Sequence, residues 1–171
     1  MDEQSVTQRS RAAQRIGDAG DEFVDRGDGA LCLIRPFDQL PKTLLLTTVV
    51  PTLGDLLAKH AENRPELAFR LRVAVHAGEV HRDSRGPYGE DVDIACRLVD
   101  APELKRRLRG TTEPIALAVS QEIHRAVVRH GYAGIDRSAF TQAVHIKLGE
   151  ERLRAWLYTP EAGEPEEGLT A

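Results

Sequence analysis

The sequence predicts an α+β domain, a sheet with helices packed against it. Two patterns and one bulk property carry that reading. Apolar runs with alternating or strand-like spacing occur at Phe69–Ala77, Ile115–Val119, Phe140–Leu148 and Glu151–Tyr158. Helical spacing of apolar residues lies between them, at Leu44–His60, from Glu90 to Val99, and at Leu104–Leu108. The chain has 171 residues, of which 41% are hydrophobic and 29% charged, and this suits one folded domain around one sizeable core. The full order reads β-β-α-β-β-α-α-β-α-β-β, an arrangement of α+β or mixed α/β type.

Each element has its own warrant. Residues 1–20 are polar, with one weakly amphipathic helical stretch at Val6–Ile16 that Gly17 and Gly20 end. Phe23 and Val24 begin a strand, Gly27-Asp28-Gly29 turns the chain, and Ala30–Ile34 returns as a second strand. Asp-Gly between apolar runs favours a hairpin because glycine tolerates positive φ. Pro36 and Pro41 then break the chain. In the helix at Leu44–His60, Pro51 and Gly54 predict a kink or a split, and Asn63-Arg64-Pro65 closes it.

The strand at Phe69–Ala77 alternates, with Phe69, Leu71, Val73 and Val75 on one face and Arg70, Arg72 and Ala74 on the other. Gly78 turns it into a short strand at Glu79–Arg82, and Asp83–Gly89 reads as a polar loop. A helix starts at Glu90, with Val92, Ala95, Cys96 and Val99 on its apolar side. Asp100 is expected to cap the next helix, which has Pro102 and Glu103 in its first turn. Ser120 opens a further helix that runs to Val128, and two closing strands follow. The final residues, 160–171, are acidic and rich in proline and glycine, the composition of a disordered tail.

Composition narrows the function classes. A net charge of −4 argues against nucleic-acid binding through overall basic charge, and the basic run Lys105–Arg109 reads as a solvated helix face. Cys32 and Cys96 lie in apolar runs and read as buried thiols of a reducing compartment. No signal peptide, C-x-x-C pair or long apolar span occurs, which places the chain in the cytoplasm and predicts no membrane partner. His76 and His81 lie five apart around Gly78, with Glu79 between, but in strands His76 and Glu79 do not share a simple metal face and no third ligand follows at the right spacing. Walker A, Rossmann and G-x-S-x-G signatures do not occur.

Three stretches in order carry a family resemblance. Arg26-Gly27-Asp28-Gly29-Ala30, then LRVAVHAGEV from Leu71, then Gly89-Glu90-Asp91-Val92-Asp93-Ile94-Ala95-Cys96-Arg97-Leu98, resemble successive landmarks of class III nucleotide cyclase catalytic domains. In that family a GDG hairpin precedes an R-I-G-I-H-x-G-E-V strand and a helix that opens G-D-x-V-N-x-A-x-R-L. The likeness covers about Phe23–Leu108 and extends more loosely to Tyr158. It implies a ferredoxin-like βαββαβ sheet with helices on one face. It divides the chain into an N-terminal segment at 1–22, a cyclase-homology domain at 23–159 and the acidic tail at 160–171.

The resemblance further implies a homodimer with composite sites, in which two aspartates of one subunit hold Mg²⁺ or Mn²⁺ on a nucleoside triphosphate. The other subunit contributes an asparagine and an arginine to orient the ribose and stabilise the transition state, a task for which metal ions and a guanidinium are suited. Asp28 matches a metal aspartate, and a turn aspartate explains it equally. Arg97 matches the transition-state arginine, with an i, i+4 ion pair to Asp93 worth ~0.3–0.5 kcal/mol as the plainer account. His76 matches the family's strand histidine, packed or hydrogen-bonded.

The chain also departs from the family pattern. Asp93 stands where the asparagine is expected, and an ionised carboxylate only accepts hydrogen bonds and repels a triphosphate. Val24 stands at the position of the purine-reading lysine. No opening strand with the first metal aspartate occurs before Phe23, so such a strand lies upstream of Met1 or the domain is degenerate. The reading is a cyclase-like dimeric regulatory or nucleotide-binding module with impaired catalysis. The alternatives are an active cyclase converting a triphosphate to a cyclic nucleotide and pyrophosphate, and an unrelated ferredoxin-like interaction domain.

Overall fold

The structure is a computed structural model that describes residues 22–35 and 41–160. The expected helix at Val6–Ile16, the Pro36 break and the acidic segment beyond residue 160 lie outside the described residues.

The hairpin forms where the Asp-Gly signal places it. Strand β1 (Glu22–Asp25) pairs antiparallel with β2 (Ala30–Leu33), Glu22 facing Leu33 and Asp25 facing Ala30. These two strands make a sheet of their own. After it a π-helical turn at Leu45–Val49 runs directly into helix α1 (Val50–Asn63). Pro51 has no N–H, and its ring would press on the carbonyl four residues back in a regular helix. The wider turn before it relieves that crowding. The expected split therefore takes the form of a local widening in a continuous helix.

The next strand is β3 (Leu71–Val75), shorter than its alternating run because Phe69 lies outside it, 51% exposed, with His60 edge-on at 5.6 Å. The expected strand at Glu79–Arg82 and loop at Asp83–Gly89 are replaced by a small hairpin. Strand β4 (His81–Asp83) pairs with β5 (Gly86–Tyr88), His81 facing Tyr88 and Asp83 facing Gly86. The Asp83 carboxylate accepts from the Arg85 N–H at 2.8 Å, and Gly86 takes φ of 122°. Pro87 can sit in such a strand because the two-stranded unit leaves one side of each strand unpaired.

Helix α2 (Glu90–Asp100) is followed at once by α3 (Pro102–Arg109). Asp100 does not cap α3. The capping position is Ala101, in an extended conformation with no side-chain cap, and Asp100 is the last residue of α2. Pro102 presets the helical φ at the first position, so the helix starts without a side-chain acceptor. Asp100 instead meets Arg72 Nη1 and Lys105 Nζ, both at 3.1 Å.

Strand β6 (Ile115–Ser120) leads into α4 (Gln121–Ala126), where Ser120 Oγ accepts from the Ile123 N–H at 3.4 Å as the sequence predicts. That helix is shorter than expected, since Val128–His130 forms a separate 3₁₀ turn. Strands β7 (Phe140–Leu148) and β8 (Glu151–Tyr158) close the fold, with a register irregularity between Gln142 and Val144.

The main sheet has four strands in the order β3-β6-β8-β7. It is mixed: β3 and β6 run parallel, the other neighbours antiparallel. The α+β class is thus present. The helices, however, cover both faces of the sheet, where the ferredoxin-like expectation puts them on one. Strand β6 shows this, because successive side chains of a strand point to opposite faces. Ala116 and Ala118 pack with Ile94, Leu98 and Leu104 of α2 and α3. Leu117 and Val119 pack on the other side with Leu46, Ile123, Val127 and Val128. A strand buried on both faces loses the alternation of a half-exposed one, as the run Ile-Ala-Leu-Ala-Val does. Leu98, Leu104 and Ile123 are fully buried, each contributing about 1.5–3 kcal/mol of transfer free energy.

Candidate functional site

The candidate residues sit on two elements, the β1–β2 hairpin and helix α2. In the hairpin turn the Gly27 N–H donates to Asp25 Oδ1 at 2.8 Å and the Arg26 N–H donates to the Gly29 carbonyl at 2.9 Å. Gly27 takes φ of 82°, which the absence of a Cβ allows. Asp28 is held at the tip and exposed, with no partner for its carboxylate among the described residues. Glu22 at the base of the hairpin forms an ion pair with Arg82 of β4.

Helix α2 opens at Gly89, whose carbonyl accepts from the Val92 and Asp93 N–H groups at 3.1 and 3.2 Å. Gly89 has φ of 132°, a conformation in which a side chain is strained. Three acidic residues, Glu90, Asp91 and Asp93, occupy the first turn and match the helix dipole there, while the last turn carries both Arg97 and Asp100. Val92, Ile94 and Leu98 face the core, whereas Glu90, Asp93, Arg97 and Asp100 are exposed at helical spacing. Asp93 and Arg97 therefore share a solvent face one turn apart. They form no ion pair, so the plainer account of Arg97 is not what the geometry contains among the described residues. Asp28 has no hydrogen bond or ion pair to either.

Asp91 binds in the opposite direction. Its Oδ1 lies 2.8 Å from His76 Nε2 at the end of β3, and its Oδ2 accepts from the Glu79 N–H at 2.7 Å. An ionised carboxylate has no proton to give, so Nε2 is the donor. The His76 side chain is only 4% exposed, and its Nδ1 is 3.4 Å from Glu122 Oε2 without a hydrogen bond. Gly78 completes this cradle: a Cβ there would overlap the Asp91 carboxylate. His76 is thus packed and hydrogen-bonded, as the resemblance implies. Asp91, which the sequence analysis left without a role, is the residue that pins the start of α2 to the end of β3.

Arg72 supports the other end of α2. Its Nη1 donates to the Val99 carbonyl at 3.0 Å and meets Asp100 at 3.1 Å. The Lys105 ammonium hydrogen-bonds Asp100, with Arg72 beside it, and together they hold that carboxyl below its ordinary value. Arg70 donates to the Leu108 carbonyl at 2.9 Å and to the Thr111 carbonyl, closing the end of α3. The basic run Lys105–Arg109 is spent locally in part, since Arg106 lies 3.7 Å from Glu103 and Lys105 meets Asp100. Cys32 is exposed and Cys96 half-buried, a correction to the expectation that both are buried. The reason for Cys32 is its place on a hairpin that does not join the main sheet.

Among the described residues no three His, Cys, Asp or Glu side chains converge where a metal ion could be held. The carboxylate nearest Asp28 in sequence, that of Asp25, accepts from the Gly27 N–H in the same hairpin turn. No helix among the described residues is long and apolar enough to cross a membrane. Neither the models of known protein families nor the curated proteins compared with the chain give a match.

Proposed function

We propose that the chain is a class III cyclase-like module that acts as a homodimer in regulation or nucleotide binding and does not turn over nucleoside triphosphates efficiently. The observation that carries this is Asp93, exposed beside Arg97 on the solvent face of α2, at the position where an amide would orient a ribose. A carboxylate there offers no donor and adds negative charge to a face that already holds Glu90 and Asp100. Val24 in place of a purine-reading lysine points the same way. Asp28 and Arg97 make no hydrogen bond or ion pair with each other within one chain, which suits a composite site in which a second copy supplies what the first lacks. A ferredoxin-like strand plan with helices on both faces rather than one, a cytoplasmic location and any Mg²⁺ or Mn²⁺ held with bound nucleotide belong to the same reading.

The test is incubation of the purified chain with each nucleoside triphosphate and Mn²⁺, with product analysis and sedimentation in parallel. A dimer that forms no cyclic nucleotide supports the proposal. Turnover that Asp28→Ala and Arg97→Ala each abolish would establish an active cyclase instead. A monomer that neither binds nor converts any triphosphate would remove the family reading itself.

A further inference from the structure

Where α4 gives way to β7, a concavity of about 570 Å³ is lined by His124, Arg129, Asp136, Arg137 and Ser138. It is open to solvent, a shallow surface suited to a small charged group rather than a cleft that buries a whole ligand. The two arginines come from separate segments, Arg129 from the 3₁₀ turn after α4 and Arg137 from the loop that enters β7. Arg129 Nε reaches His130 Nε2 at 3.3 Å, and neither guanidinium meets a carboxylate among the described residues.

The acidic residue in the lining is already engaged. Asp136 Oδ1 accepts from the Ser138 N–H at 2.8 Å and from Ser138 Oγ at 2.6 Å, which fixes the carboxylate in the turn. These Ser138 bonds keep the Asp136 carboxyl below its ordinary value, so it stays a fixed anion that offsets one cation but not both. His124 forms part of the remaining wall. His124 lies flat on Trp156 of β8, ring centroids 4.0 Å apart and planes 4° from parallel. A lined concavity with two guanidiniums and one tied carboxylate has a cationic excess, and the planar guanidinium fork matches phosphate oxygens two at a time.

We propose that this concavity binds a phosphate dianion, free or carried as a monoester by a small molecule. The site shares no residue with the hairpin or with α2, so it stands whether or not the cyclase-like reading does. The experiment is calorimetric titration of the full chain with sodium phosphate at about pH 7.5, where phosphate is largely dianionic, against sodium chloride at matched ionic strength. Expected is saturable binding of phosphate, weakened about tenfold or more by Arg129→Gln and by Arg137→Gln. Arg109→Gln, at the end of α3 and outside the concavity, is expected to leave it unchanged. A second titration with glycerol phosphate separates the sources: tighter binding than inorganic phosphate points to an organic monoester, and equal or weaker binding to the free ion. Binding no stronger than that of chloride overturns the proposal, as does an Arg109→Gln loss equal to that of the lining arginines. Both lining arginines are exposed, so their replacement leaves the fold intact for the comparison.

Discussion

Substituting Gly78 with alanine tests the cradle at the start of α2. The new Cβ would occupy the space of the Asp91 carboxylate. That carboxylate is a side-chain end, yet it cannot swing aside freely, because His76 Nε2 at 2.8 Å and the Glu79 N–H at 2.7 Å both hold it. Each hydrogen bond to a charged acceptor contributes ~1.5–3 kcal/mol, and leaving the His76 ring unpartnered in its buried position costs a further ~1–3 kcal/mol. Partial relaxation of an exposed turn offsets some of this, so Gly78→Ala is expected to cost about 3 kcal/mol.

Urea denaturation at neutral pH measures it, as a shift of the midpoint with the slope unchanged. The double mutant isolates the cause. In an Asp91→Ala background the collision has no target, so Gly78→Ala should then cost less than ~0.5 kcal/mol, a coupling of about 2 kcal/mol or more. Additive costs, or a single-mutant effect below ~0.5 kcal/mol, would refute the account of the cradle.

Two further substitutions read other parts of the fold. Gly54→Ala, inside α1, would place its Cβ 3.8 Å from Ile115 Cδ1, ordinary van der Waals contact, so a gain of ~0.5–1 kcal/mol is expected in the same denaturation assay. For His124, burial first and the nearby Arg129 second lower the pKa below its ordinary value. A folded-state pKa depressed in a histidine favours the neutral ring: its contribution is complete above the unfolded value of about 6.5 and is lost as pH falls through that value toward the folded one. The wild-type midpoint should therefore fall more steeply between about pH 7.5 and pH 5 than that of His124→Phe, which keeps a ring against Trp156, and parallel slopes would contradict this.

What was legible in the sequence follows the range of the physics. Elements set by neighbouring residues came through in the GDG hairpin turn and the Ser120 cap, whereas the apolar side expected of α2 held only at Val92: Ile94 and Leu98 are buried, and Ala95, Cys96 and Val99 are half-buried. Elements decided by distant partners did not. The β4–β5 hairpin is an exception, since its partner is only two residues away: the polar composition of Asp83–Gly89 read as a loop and masked a tight turn at Ser84-Arg85. Asp100 looked like a cap from its place before Pro102, yet Arg72, on a strand far away in sequence, claims it. The grip of Asp91 on His76 had no motif signal, since the same first-turn aspartate would suit the helix dipole alone. The lining of the phosphate concavity was equally invisible, because His124, Arg129 and Arg137 come together only through the loops around α4.

Helix α2 divides its two sides between different demands. Ile94 and Leu98 anchor it in the core, while Asp93 and Arg97 face solvent and make no hydrogen bond or ion pair among the described residues. Substitutions on that outer side are expected to change stability by no more than ~0.5 kcal/mol. Over generations such a surface can drift through many side chains while the scaffold beneath it persists. What such a face binds can therefore change while the fold beneath it is kept.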